Sequence, residues 1–100
     1  MSLSPTQKKY LKAEAHNLSP VVQIGKAGLT ASLIKEVVSS LSAHELIKVK
    51  VLQDKEERDA LAERLVDCTE SSLVYVLGDV IILFKQKKDP AKRSYKLPRG

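Results

Sequence analysis

Stretches of helical period separate the first three strand-like runs of this chain, and that order restricts the fold more than any other feature. Leu29, Leu33, Ile34, Val37, Val38 and Leu41 recur at helical spacing and predict a helix from about Thr30 to Ala43. It lies between an apolar run, Val21 to Ile24, and the alternating segment Leu46 to Leu52. A further helix, opened by Asp54 with Glu57 three residues on and running to about Cys68, precedes the β-branched run Ser72 to Leu77. A helix between two strands requires a crossover connection, so these strands are expected to run parallel to their neighbours. Gly78-Asp79 then joins Ser72–Leu77 to Val80–Gln86 as a two-residue hairpin, which adds an antiparallel pair. With a helix at the amino end the order is α-β-α-β-α-β-β. The expected fold is two-layer α/β, a four-stranded mixed sheet with three helices on one face.

Local chemistry sharpens the boundaries. Ser4-Pro5-Thr6-Gln7 has the residues of a capped helix start, with Ser4 as N-cap, Pro5 at the first helical position and Gln7 closing the box. That helix is expected to reach His16, with Tyr10, Leu11, Ala13, Ala15 and Leu18 forming its apolar stripe and Lys8, Lys9 and Lys12 turned to solvent. In the alternating segment Ile47, Val49 and Val51 face one way, and Lys48 and Lys50 the other, onto an open sheet face. The helix after Asp54 presents Leu61, Ala62, Leu65 and Val66 to the core. Both faces of the last two strands are apolar, and periodicity does not phase them. The chain of 100 residues, 43% hydrophobic and 29% charged, fits one domain, expected over residues 1–87, followed by a basic tail at 88–100. Pro90, Pro98 and the absence of apolar period suggest that the tail is extended and mobile.

Between the first strand and the helix that follows it lies Gln23-Ile24-Gly25-Lys26-Ala27-Gly28-Leu29-Thr30. Gly25 and Gly28 allow close approach of a ligand to the main chain, the first turn of the helix supplies free N–H groups at the positive end of its dipole, and Lys26 adds a mobile charge. That layout suits a phosphate, and G-x-x-G loops of this kind clamp the backbone of single-stranded nucleic acid. Charge is segregated in a matching way. Residues 85–100 carry a net +6, residues 1–53 a net +4 and residues 54–70 a net −4. A basic surface with one acidic helix has a preferred orientation toward a polyanion.

Other chemistries lack their residues. No G-x-x-x-x-G-K-[ST] or G-x-G-x-x-G motif occurs, and His16, His44 and Cys68 are too scattered for a metal site. The acids of the third helix resemble a solvated face, and Cys68 is expected as a small buried or half-buried residue. No apolar run reaches the roughly 18 residues of a membrane helix. The reading is therefore a soluble, cytoplasmic, monomeric binding protein without catalytic residues, metal or cofactor.

Three blocks then resemble a known family. Gln7-Lys8-Lys9-Tyr10-Leu11, Pro20-Val21-Val22-Gln23-Ile24-Gly25-Lys26-Ala27-Gly28-Leu29-Thr30 and His44-Glu45-Leu46-Ile47-Lys48-Val49-Lys50, with Gly78 and Phe84-Lys85, resemble the CRM domain (chloroplast RNA splicing and ribosome maturation), in particular its stand-alone bacterial YhbY-like members. The resemblance implies a fold similar to the C-terminal domain of translation initiation factor three. It also implies RNA binding through the loop Gly25, Lys26, Ala27 and Gly28, with Lys48 and Lys50 in a basic surface to which Lys8, Lys9 and Lys12 add charge. The implied partner is large-subunit ribosomal RNA in assembling particles. A protein-interaction module using the open face of the sheet is the alternative expectation.

Overall fold

The computed structural model describes residues 2–100. Its elements are α1 (Pro5–Ala15), β1 (Val22–Ile24), α2 (Ala31–His44), β2 (Leu46–Val51), α3 (Lys55–Thr69), β3 (Ser72–Leu77), β4 (Val80–Phe84) and a short 3-10 turn at Pro90–Lys92. The three helix starts follow the capping chemistry of the sequence. Ser4 Oγ accepts from Gln7 N at 3.1 Å while Gln7 Oε1 accepts from Ser4 N at 3.0 Å. Thr30 Oγ1 accepts from Leu33 N, and Asp54 Oδ1 from Glu57 N. Each bond satisfies a first-turn N–H that has no partner inside its helix.

The sheet has the order β1-β2-β4-β3. β1 and β2 are parallel, with Val22 opposite Val49 and Ile24 opposite Val51. The hairpin folds β4 back between β2 and β3, so β4 is antiparallel to both and β3 becomes an edge. The β3–β4 register slips between Leu73 and Tyr75, a bulge opposite Ile82.

α2 and α3 cover one face of the sheet. Val37 and Leu41 from α2 and Leu61, Ala62 and Leu65 from α3 pack on Val22, Ile24, Ile47, Val49, Val51, Ile81 and Leu83. The two-layer expectation holds for this half of the molecule. α1 departs from it. Leu11 and Ala15 bury against Leu46, Val74, Ile82 and Phe84 on the opposite face, with Tyr95 and Leu97 packed alongside. The reason is in the strands: Leu46, Ile82 and Phe84 point away from the first core and each is worth about 1.5–3 kcal/mol when buried, so that face needs its own cover.

The segment after β4 belongs to this second core. Tyr95 meets Phe84 edge to face, with ring centroids 6.3 Å apart. Gln7 Nε2 donates to Pro98 O at 3.1 Å. Glu45, fully buried at the turn between α2 and β2, accepts from Lys87 N at 2.8 Å and from Ser94 N at 2.6 Å. Its φ of 64° lets α2 reverse directly into β2, a conformation that carries strain outside glycine. Burial, followed by the nearby Glu14 carboxylate, raises the phenol pKa values of Tyr10 and Tyr95 above 10.0. The segment expected to be a free basic tail is thus fastened along α1 and β4. Cys68 also differs from expectation: it is exposed on α3, near the end of the helix.

Candidate functional site

The loop between β1 and α2 is a hydrogen-bonded turn. Gly28 N donates to Gly25 O at 3.0 Å, and Gly28 takes φ +71°, the left-handed conformation that a side chain would strain. Gly25 lacks that requirement, and open space surrounds the position where a Cβ would stand. Lys26 and Ala27 are exposed at the tip. Lys26 forms no hydrogen bond or ion pair among the described residues.

Two side chains from the β2–α3 junction hold this end of the sheet together. Gln53 Nε2 donates to Gly25 O, which fixes the start of the loop. The Arg58 guanidinium donates to Gly78 O in the hairpin turn and to Gln53 O. Backbone bonds link the same places, Leu52 N to Ile24 O at 3.1 Å and Val51 N to Asp79 O at 2.8 Å. The glycine loop and the β3–β4 turn therefore leave the sheet at one end. Lys26 and Gly28 face α3 across a shallow depression shared with Glu57 and Arg64. The acidic helix thus borders the loop on one side.

A second concavity lies on the α1 face. Lys9, Lys12, His16 and Lys48 rim it, and Leu77 and Ile82 form its apolar part. Residues 9, 12, 13 and 16 share one helical stripe, which is why both lysines point into it. Lys12 Nζ stands 3.7 Å from the centre of the Tyr75 ring.

The residues singled out from sequence have unequal situations. Gly25, Lys26, Ala27 and Gly28 form the exposed turn, Lys9 and Lys12 line the α1 groove, and Lys8 is exposed on α1 without lining it. Lys48 and Lys50 do leave the sheet on the face opposite Ile47, Val49 and Val51, yet that face is not open. Lys48 Nζ donates to Leu18 O at 2.9 Å and His16 O at 3.5 Å, tying the end of α1 to β2. Lys50 Nζ lies 3.9 Å from Asp79 Oδ2 at the hairpin turn. The tail lysines gather elsewhere, with Lys87, Lys88 and Lys92 beside Val38 of α2. Sequence reasoning passed over Gln53, Tyr75 and Glu45. Gln53 sits next to a capping box with no pattern of its own, Tyr75 is hidden by the bulge, and Glu45 resembles an ordinary polar helix exit.

A single α/β unit with a glycine turn and lysine-lined grooves about a mixed sheet is the class these features define. A sequence model of the CRS1 / YhbY (CRM) domain matches residues 3–85, and the chain belongs to that family. It is 42% identical over 88 residues to the Bacillus subtilis protein named Probable RNA-binding protein YqeI, covering 87% of this chain and 92% of that one. A Haemophilus influenzae protein named RNA-binding protein is 36% identical over 99 residues, covering 98% of this chain and 97% of the other. The solution structure of a Staphylococcus aureus hypothetical protein, proposed there to bind RNA, superposes with a TM-score of 0.85 at 40% identity over 97% of this chain and all of that one.

Proposed function

We propose that the protein is a non-enzymatic, monomeric, cytoplasmic RNA-binding protein that associates with precursors of the large ribosomal subunit and assists their assembly. The observation that carries the reading is the Gly25–Gly28 turn, held in shape by Gln53 with Lys26 exposed and unpaired at its tip, in a chain whose relatives are named for RNA binding. Loop and first-turn N–H groups of α2 take one phosphate and Lys26 a second, while Lys8, Lys9, Lys12, Lys50 and the C-terminal lysines add long-range attraction. Lys48 contributes charge from a fixed position, because its ammonium is held by the Leu18 and His16 carbonyls just after α1. The ribosomal partner rests on the family resemblance.

Co-sedimentation with ribosomal particles on a gradient tests this, comparing the native chain with Lys26→Glu. Selective loss of the variant from large-subunit precursors is the expected result; absence of the native chain from every particle defeats the ribosomal part. On single-stranded RNA, neutralising about four phosphates gives a log–log salt slope of roughly −3. A slope near zero defeats the RNA reading itself. The protein-interaction alternative uses an open sheet face; α1 with Tyr95 and Leu97 covers most of that face and leaves Tyr75 and Leu77 exposed at its β3 edge.

A further inference from the structure

We propose that the groove between α1 and the β3–β4 hairpin is a seat for one unpaired nucleotide of RNA, with Tyr75 as the stacking platform. The inference rests on the RNA-binding reading and adds a base-contacting site to it.

Tyr75 and Leu77 lie on the edge strand with 43% and 54% of their surface exposed, although the rest of that sheet face is covered. The bulge puts them there. Tyr75 pairs with Ile82 and Leu77 with Val80, so both side chains stand on the α1 side of β3. Leu73 and Val76 turn instead into the α2–α3 core. An exposed ring beside an exposed leucine and Ile82 gives an apolar strip at the edge of a groove whose rim is Lys9, Lys12, His16 and Lys48. Apolar strip and cationic rim together match a nucleotide, which has an apolar base face and an anionic phosphate.

Lys12 supplies the exchange that makes the site work. Its ammonium covers the Tyr75 ring at 3.7 Å, a cation–π contact that shields the ring while no base is bound. At an exposed position such a contact is weaker than base–aromatic stacking, so an arriving base displaces it. The released ammonium stays on the groove rim, where the phosphate of the same nucleotide lies within reach of a long flexible side chain. The hairpin carrying Leu77 leaves the sheet at the same end as the glycine loop. One strand can therefore run from Lys26 past Lys50 to Tyr75.

Fluorescence anisotropy with a labelled oligouridylate and an abasic strand of equal length tests the site. The native chain is expected to bind the base-bearing strand about tenfold more tightly, the order of one stacked base. Tyr75→Ala is expected to abolish that preference with circular dichroism and salt slope unchanged, and Tyr75→Phe to retain it. Lys26→Glu should weaken both strands alike. Equal native binding of the two strands, or a preference that survives Tyr75→Ala, overturns the nucleotide seat alone. Failure of the native chain to bind either strand removes this site together with the RNA-binding reading.

Discussion

Ser94 N donates to Glu45 Oε1 at 2.6 Å, across 49 residues of sequence. With Lys87 N on the other oxygen, one buried carboxylate holds both ends of the segment that carries Lys88, Lys92 and Arg93. Glu45→Ala leaves two N–H groups without an acceptor and is expected to cost about 2–4 kcal/mol in urea denaturation. Glu45→Gln keeps one acceptor oxygen and should cost less. Limited proteolysis should then cut the variant after Lys87 or Lys88 sooner than the native chain; equal cleavage rates would show that the carboxylate is not what fastens the segment.

Lys48 and Lys50 share a strand face, and their substitutions should separate. Lys48→Ala removes the bonds to Leu18 O and His16 O and is expected to lower stability by about 1–2 kcal/mol as well as weaken RNA binding. Lys50→Ala breaks an ion pair whose partners are both about half exposed, so its stability change should lie within about 0.5 kcal/mol. Thermal denaturation beside RNA titration checks both. Identical stabilities would remove the structural role assigned to Lys48.

The two loop glycines are expected to behave differently. Gly28→Ala forces a side chain into φ +71° and should cost about 1 kcal/mol. Gly25→Ala meets nothing within 4 Å and should stay within about 0.5 kcal/mol of the native stability. Any loss of RNA affinity in Gly25→Ala therefore reports close approach of the ligand to the main chain. Unchanged affinity would place the phosphate away from Gly25.

Alkaline pH should loosen the second core. Burial first, and Glu14 next, raise the folded-state pKa values of Tyr10 and Tyr95 above 10.0, while the unfolded chain titrates near that value. The folded state thus holds more protons in this window, so stability is full below pH 10.0 and falls as pH rises through the raised values. Denaturation series for the native chain and the Tyr10→Phe, Tyr95→Phe double variant isolate the effect from lysine titration. The variant is expected to lose less stability above pH 10.0, and parallel curves would refute the assignment.

Much of the fold follows from local pattern. Ser4-Pro5-Thr6-Gln7 and Asp54 with Glu57 marked two helix starts because caps act within four residues, and the period of Leu33, Val37 and Leu41 marked the buried side of α2. Alternation in β2 assigned Ile47, Val49 and Val51 to one face and the lysines to the other, because successive side chains of a strand point oppositely. The glycine turn was legible for the same local reason. Tertiary structure decided what lies over the second face. A bulge at Leu73–Tyr75 puts Val74 and Tyr75 on the same side, so period two fails where the phase of β3 had to be read. That shift leaves Tyr75 under Lys12, and the uncovered side of Leu46, Ile82 and Phe84 draws in α1, Tyr95 and Leu97. Polar contacts that fix the glycine loop and the C-terminal segment, Gln53 to Gly25 and Glu45 to Ser94, join residues 28 and 49 positions apart. Partners at that separation meet only when the sheet has formed, so no local pattern announces them.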